Sequence, residues 1–174
     1  MSAQLSTEEL RQAFDASFAA PPAAEGEQLA DFLIVRAAAS RLAVRLSEVS
    51  LVEAVRKIVP LPAARRGLLG LAGVRGRPLP VFSLASLLGE AEESAPRWLC
   101  VHESSEPIAL GVDAIEQFLR VRPSDLAALA GTGERGRHTT GMLRAGAQSY
   151  AVVSLSALAA HIDEGGAGAA RKER

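Results

Sequence analysis

The sequence contains a single cysteine, Cys100, among its 174 residues. A disulfide within the chain is therefore excluded, which agrees with a reducing compartment. Because Cys100 lies in the apolar run Trp98–Val101, we predict that its thiol packs in the core. The first ten residues, MSAQLSTEEL, lack the basic and apolar regions of a secretion signal. These features predict a cytoplasmic protein.

Net charge and long hydrophobic runs are also lacking. There are 19 Lys and Arg residues against 20 Asp and Glu, which leaves a net charge of −1. Proteins that bind nucleic acids or membrane surfaces generally carry a basic excess, so we expect no nucleic-acid partner. No run of about 18 strongly apolar residues occurs, so we expect no direct membrane insertion. The hydrophobic fraction of 48% is sufficient for a packed core.

Motifs for catalysis and cofactor binding are scarce. The phosphate loop G-x-x-x-x-G-K-[ST] and the nucleophile elbow G-x-S-x-G are both absent. His102, His138 and His161 are not spaced from Cys, Asp or Glu residues as zinc ligands are. Gly131–Gly136 matches G-x-G-x-x-G, but it lacks the strand before it and the apolar helix after it that a dinucleotide site requires. The sequence therefore predicts no catalytic residue, no metal, no cofactor and no enzymatic activity.

The two ends of the chain differ from its middle. Leu10, Phe14 and Phe18 share one face of a potential helix, and Pro21-Pro22 would end it. Residues 1–30 are thus predicted to be an extension with an amphipathic helix and a linker, either docked on the body or mobile. Residues 163–174, which consist largely of glycine, alanine and charged residues, are predicted to be a disordered tail.

From Asp31 onwards apolar residues recur with a period of two, which is typical of half-buried strands. We expect the aspartate at the end of one of them, Asp113, to bind backbone amides of the turn that follows it. Strands are predicted at 32–35, 40–46, 52–58, 68–74, 79–82, 98–102, 108–112, 117–121, 140–144 and 149–153, short helices at 84–88, 123–129 and 154–162, and a loop at 131–137.

Two segments share the same order of elements. Leu79–Leu88 and Tyr150–Ala159 each contain a strand, a serine that can cap a helix and a short amphipathic helix. Each segment closes a set of about five short strands. The predicted fold is therefore mainly β, with two related five-stranded β-barrel subdomains, one after the other within residues 31–162, accompanied by short helices. A single β-sandwich is the alternative.

The stretch from Leu61 to Leu84 has glycines at 67, 70, 73 and 76. Glycines within strands mark bends or places where another backbone comes close. Arg75 lies between Val74 and Gly76, and we predict that it occupies a turn at the end of a strand.

This stretch resembles the signature of CheW-like adaptor domains of bacterial chemosensory systems. The resemblance lies in Leu61-Pro62 and in Gly70–Leu84, which reads GLAGVRGRPLPVFSL. Ala109–Ile115, Gly141–Leu143 and Val152–Leu155 resemble later motifs of the family, in the same order. The chain departs from the family pattern at five positions, where the family usually has glutamate, proline, asparagine and two aspartates: Leu51, Arg65, Gly73, Ser83 and Ser154.

The resemblance implies two barrels around a shared hydrophobic seam, in a non-enzymatic adaptor. Its implied partners are the cytoplasmic tip of methyl-accepting chemoreceptors and the regulatory domain of a CheA-type histidine kinase, which would recruit it to membrane-associated receptor arrays. The positions that match partner contacts are Val49, Leu51, Gly70 and Arg75, with Gly76 on the same turn. One alternative is a module with a single partner that acts as a brake or decoy in a dedicated non-motility or gliding-type system. Another is an enzyme or ligand-binding barrel.

Overall fold

The computed structural model of the chain describes residues 29–62, 65–92, 94–128 and 133–170. The predicted amphipathic helix and most of its linker lie outside these residues, as do residues 171–174. The division into extension, domain and tail remains a prediction.

The described residues form eleven strands, three α-helices and two short 3-10 turns. The strands are β1 Ala30–Ala37, β2 Ser40–Arg45, β3 Leu51–Ala54, β4 Leu68–Val74, β5 Arg77–Ser83, β6 Trp98–His102, β7 Ile108–Val112, β8 Ala114–Val121, β9 Leu126–Ala128, β10 Thr139–Ala145 and β11 Gln148–Val153. The helices are α1 Leu84–Leu87, α2 Gly133–His138 and α3 Leu155–Ala170, and the 3-10 turns are Leu46–Glu48 and Pro123–Asp125.

The strands form two sheets that are built on the same plan. One has the order β8-β1-β2-β11-β10-β9 and the other the order β3-β6-β7-β5-β4. In each sheet an outer strand joins an antiparallel hairpin, β1–β2 or β6–β7. A second hairpin, β10–β11 or β4–β5, then joins the first through a parallel pair, β2 with β11 or β7 with β5. The mainly β class with two related units is therefore confirmed.

The repeated segments occupy equivalent places in the two units. Ser83 precedes α1 and accepts a hydrogen bond from the Ser86 amide at 3.2 Å. Ser154 precedes α3 and accepts one from the Ala157 amide at 3.2 Å. The sequence predicted that the two units follow one another in the chain, but they do not. The six-stranded unit takes its first hairpin, β1–β2, from the beginning of the domain.

Three clusters of buried residues fill the two units. The six-strand core includes Phe32, Ile34 and Val152, and the five-strand core includes Val81, Leu99 and Ala109. The shared core joins the two sheets to α1 and α3, and contains the strand residues Leu33, Val35, Leu42, Val44, Phe82, Cys100, Leu110, Val112 and Val153. Neighbouring residues of a strand thus face different cores, as the period of two requires. This arrangement agrees with two units around a shared seam.

The core explains two features of individual strands. All five residues of β7 are buried, although the sequence predicted a half-buried strand, because its side chains face the five-strand core on one side and the shared core on the other. Cys100 is buried as predicted, and this burial raises the pKa of its thiol to about 12.

Several local predictions were wrong. The sheets have six and five strands rather than five each, since residues 126–128 form β9 against β10 where a helix was predicted. Residues 133–138 form α2 instead of a loop, α3 continues beyond 162 to Ala170, and β3 ends at Ala54. The Asp113 carboxylate accepts the Ala38 amide at 2.7 Å, in the distant β1–β2 turn rather than in the turn that follows it.

The strand pairs define two sheets and do not confirm closed barrels. In the five-stranded sheet, β3 and β4 lie at opposite edges. The chain that leaves β3 returns to β4 through a single bridge between Val59 and Leu71, in which each amide donates to the other residue's carbonyl at 2.8 Å. Among the described residues, no helix is long and apolar enough to cross a membrane.

Candidate partner-binding site

The hairpin between β4 and β5 turns through two residues with positive φ. Val74 pairs with Arg77, and between them Arg75 has φ 47° and Gly76 has φ 79°. Two consecutive positive φ values are typical of the tight hairpin turn that fits the right-handed twist of strands. The predicted turn is therefore confirmed. An arginine is unusual at its first position, because a left-handed conformation costs a residue with a Cβ about 1–2 kcal/mol.

Beside this turn the five-stranded sheet has an open end. A concavity of about 220 Å³ is lined by residues from β3 and its preceding residue, from the β4–β5 hairpin, and from β6 and the residue that follows it: Ser50, Leu51, Val74, Arg75, Arg77, Leu79, Val101 and Glu103. Four of them, Leu51, Val74, Leu79 and Val101, belong to the five-strand core or pack against it. The concavity therefore has an apolar floor.

The rim of the concavity is polar and mainly basic. Arg75 and Arg77 are exposed, and Glu103 supplies an opposite charge. Ser50 is fixed to β6, because its amide and its hydroxyl both donate to the Val101 carbonyl, at 2.9 and 3.0 Å. Such a site suits an apolar side chain with an acidic or polar group beside it. Within the described part of the chain, no group of three or more His, Cys, Asp or Glu residues could hold a metal ion.

Four of the five residues predicted from the resemblance fall into two groups. Leu51 and Arg75 line the same concavity, and Gly76 lies beside it on the exposed turn. Val49 is half-buried and packs against the shared core. Leu51 and Val49 thus lie against different cores, although they are two residues apart.

Gly70 is buried beneath another segment of the chain. A Cβ on Gly70, whose φ is +142°, would lie 2.7 Å from the Val59 carbonyl carbon and 2.9 Å from Pro60 Cα. Glycine is therefore required here by a close backbone approach, as the sequence suggested for this stretch. Gly70 lies in β4, the edge strand that leads into the Arg75-Gly76 turn. It does not line the concavity.

Sequence reasoning missed Arg77, Val101 and Glu103 as lining residues. Arg77 directly follows the predicted turn, so its proximity to Arg75 was a usable signal. Val101 and Glu103 reach the site because β6 pairs with β3, placing Val101 opposite Leu51. This pairing spans fifty residues and leaves no local pattern in the sequence.

Glu48, which sequence reasoning also missed, connects the edge of the site to the other unit. Its carboxylate accepts the Leu155 amide at 2.6 Å and the Ser154 hydroxyl at 3.1 Å, at the N-terminus of α3. Its carbonyl lies 2.7 Å from His102 Nδ1. Since Val49 is the next residue, its position is fixed to both units.

The equivalent end of the six-stranded sheet is filled differently. Tyr150, which holds the place of Leu79 in the second hairpin, is 3% exposed. Its hydroxyl accepts a hydrogen bond from Gln117 Nε2 at 3.0 Å and donates one to the Gln148 side-chain carbonyl. Tyr150, which is larger than Leu79, and its two glutamine partners therefore fill the place that corresponds to the concavity.

Two pseudo-equivalent sheets with a shallow apolar concavity and a basic rim define a mainly β binding module. A family model described as CheW-like domain matches residues 31–163. The chain belongs to the CheW-like domain family. Proteins of this family are non-enzymatic scaffolds, and membership supports a scaffold or adaptor role in chemotaxis signalling for this chain, as the sequence predicted.

A solved structure supports the fold. The scaffolding protein TtCheW from Thermoanaerobacter tengcongensis superimposes with a TM-score of 0.65 at 15% sequence identity, over 74% of this chain and 90% of that chain. At this identity the likeness concerns the fold. None of the curated proteins compared with the chain matches it in sequence.

Proposed function

We propose that this protein couples chemoreceptors to a CheA-type histidine kinase, with the concavity and turn of the five-stranded unit as a receptor-binding surface. The partners in this proposal are the cytoplasmic tip of a methyl-accepting chemoreceptor and the regulatory domain of the kinase. The observation that supports the receptor contact is that Leu51 and Arg75 line the same concavity, which has an apolar floor.

The chemistry of this surface fits a helical partner. An amphipathic helix binds through a stripe of apolar side chains that enter a groove, and Leu51, Leu79 and Val101 offer apolar contacts for one of them. The guanidinium groups of Arg75 and Arg77 would then pair with carboxylates beside the stripe, because arginine presents several donors in a fixed plane. Gly76, which has no side chain, allows the partner to approach the backbone of the turn. Val49 extends the apolar contact towards the shared core. Gly70 has no direct contact in this proposal and fixes the position of β4 through its close approach to Val59.

The test is binding of the full-length chain to receptor-tip and kinase regulatory-domain fragments, measured by calorimetry. Transient signalling assemblies typically have Kd values of about 1 µM or weaker. We expect Arg75→Glu to weaken receptor binding about tenfold or more, since it reverses a charge at the site, while the melting temperature stays within a few degrees. Arg144→Glu is the matched control, because Arg144 is also exposed and lies on β10 of the other sheet. Absence of binding to any cognate receptor or kinase fragment would refute the proposal, and a collapsed Arg75→Glu variant would make Arg75 structural instead.

One observation favours the alternative of a single-partner brake or decoy. The end of the six-stranded sheet is filled by Tyr150 and its two glutamines, whereas the five-stranded sheet has an open concavity. A protein with one such concavity would bind one partner without linking it to a second. Kinase activity measured with and without the protein separates the two functions. Activation supports coupling, and inhibition or no effect supports the brake or decoy.

A further inference from the structure

The rim of the concavity has positive charges to offer a ligand. Arg75 and Arg77 are exposed, and within the described residues neither of them takes part in an ion pair. The concavity itself has a volume of about 220 Å³ and an apolar floor. An apolar cavity of about 150 Å³ can hold a benzene ring, so this concavity can accept a phenylalanine side chain. A fitting ligand therefore has an aromatic residue with acidic groups beside it.

Residues 1–28, which lie outside the described part of the chain, have this chemistry. They include one of the 19 Lys and Arg residues of the chain and five of the 20 Asp and Glu residues. The net charge is therefore −4 in this segment and +3 in the rest of the chain. Opposite net charges favour contact between the segment and a basic surface of the domain.

The predicted helix of this segment has an apolar stripe with one charged flank. Leu10, Phe14 and Phe18 recur every four residues and form the stripe. Because each residue turns an α-helix by about 100°, three charged residues fall on one flank of the stripe. They are Glu8, Arg11 and Asp15. Two acidic residues and one basic residue on the helix thus match two arginines and Glu103 on the rim of the concavity.

The segment is long enough to reach the concavity. The described residues begin at Leu29, just before β1, and Phe32 of β1 pairs with Arg45 of β2. Leu51, which lines the concavity, follows Arg45 by six positions. At about 3.3 Å per residue and about 5 Å between paired strands, Leu29 and Leu51 are at most roughly 35 Å apart. Phe18 precedes Leu29 by eleven positions, which span up to about 36 Å.

We infer that residues 1–28 fold back on their own domain and cover the concavity, with the apolar stripe on its floor and the charged flank at its rim. Phe14, at the centre of the stripe, enters the concavity. This inference rests on the proposed function, because the segment then covers the surface that a receptor helix binds. The segment is a built-in competitor, and a receptor must displace it.

The expected inhibition is modest, because the contact is small. A segment joined by a short flexible linker has an effective concentration of about 1 mM at a nearby site. With an intrinsic Kd of about 0.5 mM for the docked helix, the concavity is covered about two-thirds of the time. Since only the uncovered third can bind a receptor, the apparent Kd for the receptor is raised about threefold.

The direct test is paramagnetic broadening of NMR signals in the full-length, isotope-labelled chain. A nitroxide is attached at Gln12→Cys, on the side of the predicted helix away from the stripe. Cys100 does not compete for the label, since it is buried and this burial raises the pKa of its thiol to about 12. The amide signals of Leu51, Arg75 and Val101, around the concavity, should be broadened.

Two variants of the labelled chain show whether the apolar stripe makes the contact. Phe14→Asp should abolish the broadening, because it would bury a charge on the apolar floor. Ala16→Asp is the matched control, since it adds the same carboxylate on the opposite side of the predicted helix, and it should leave the broadening unchanged. Circular dichroism establishes that each variant is folded.

Calorimetry with the receptor-tip fragment measures the effect on binding. Phe14→Asp should lower the Kd for the receptor about threefold, and Ala16→Asp should leave it unchanged. Arg75→Glu also releases the segment, so it should weaken receptor binding by a factor about threefold larger in the Phe14→Asp background than in the wild type.

Three NMR results would overturn the inference. These are no broadening around the concavity, broadening around the exposed Phe118 of the other sheet instead, and broadening between a spin-labelled chain and a separate isotope-labelled chain. The last result would place the segment on a second copy. Unchanged receptor affinity in Phe14→Asp would refute the inhibition. If no receptor fragment binds any variant while the broadening persists, the proposed function fails and the docking of the segment stands, so the two failures are distinguishable.

Discussion

Substitution of Gly70 by alanine tests whether a close backbone approach holds the five-stranded unit together. Gly70 lies at a bulge in β4 with φ +142°, a conformation that residues with a Cβ rarely adopt. A Cβ there would also lie 2.7 Å from the Val59 carbonyl carbon, and backbone cannot move aside as a flexible side chain can. The strain costs about 1–3 kcal/mol and the overpacking about 1–3 kcal/mol. We therefore expect Gly70→Ala to lower the free energy of unfolding by about 2–6 kcal/mol.

Three other glycines separate these two effects. Gly73→Ala meets no atom within 4 Å and should be neutral or stabilising by about 0.4–1 kcal/mol, since it restricts the unfolded chain. Gly76→Ala also meets open space but has φ +79°, so conformational strain alone should cost about 1–2 kcal/mol. Gly141→Ala, at the equivalent bulge of β10, would place its Cβ 2.6 Å from the Ala127 carbonyl oxygen without a positive φ. Overpacking alone should cost about 1–3 kcal/mol there.

The assay is urea denaturation of the four variants and the wild type, followed by circular dichroism. Equal slopes of unfolding free energy against urea concentration would show that the variants differ in stability and not in the extent of unfolding. For a chain of this size, each kcal/mol corresponds to about 2–4 °C in melting temperature. If Gly70→Ala were as stable as Gly73→Ala, the tight crossing of the Val59 segment over β4 would not exist in solution, and our explanation of Gly70 would be wrong.

Two further predictions concern polar contacts. Glu48→Ala removes the carboxylate from the N-terminus of α3 and should destabilise the protein by about 1–3 kcal/mol, whereas the exposed Glu106→Ala should have little effect in the same urea assay. The hydrogen bond from Arg120 lowers the pKa of Asp31 below 3.8, so the stabilising effect of this pair should be present above pH 3.8 and disappear as the pH falls through the lowered pKa. A carboxyl titration by NMR should show a midpoint for Asp31 that returns towards 3.8 in Arg120→Gln, and an unchanged midpoint would contradict the ion pair.

Much of the fold could be predicted from local sequence patterns. The period of two identified most strands, and a strand followed by a capping serine and a short apolar helix identified the repeat. Ser83 and Ser154 form these caps because a serine hydroxyl can accept an amide hydrogen at a helix N-terminus wherever the chain is extended before it. The Arg75-Gly76 turn could also be predicted from a local pattern, since glycine between two apolar strand segments favours a tight hairpin.

The remaining errors arose where distant pairing outweighs local preference. Residues 126–128, Leu-Ala-Ala, resemble a helix by propensity, but pairing with β10 makes them a strand, because strand formation depends on neighbours more than on intrinsic preference. In the candidate site, Leu51 and Arg75 came from family resemblance. Val101 and Glu103 depend on the β3–β6 register, which no local pattern records.

The sequence by itself determined a mainly β binding module without catalytic motifs, its repeated unit, its core strands and the turn that carries Arg75. These follow from periodicity, capping and backbone preference, which act over a few residues. The tertiary structure decided that β1 and β2 complete the second unit and that Gly70 lies under Val59. It also decided that the five-stranded unit has a concavity where Tyr150 fills the corresponding place in the other unit, and that β8 is an edge strand of its sheet. These features depend on which strands are neighbours in space, and neighbours far apart in the chain are chosen by the packing of the whole core.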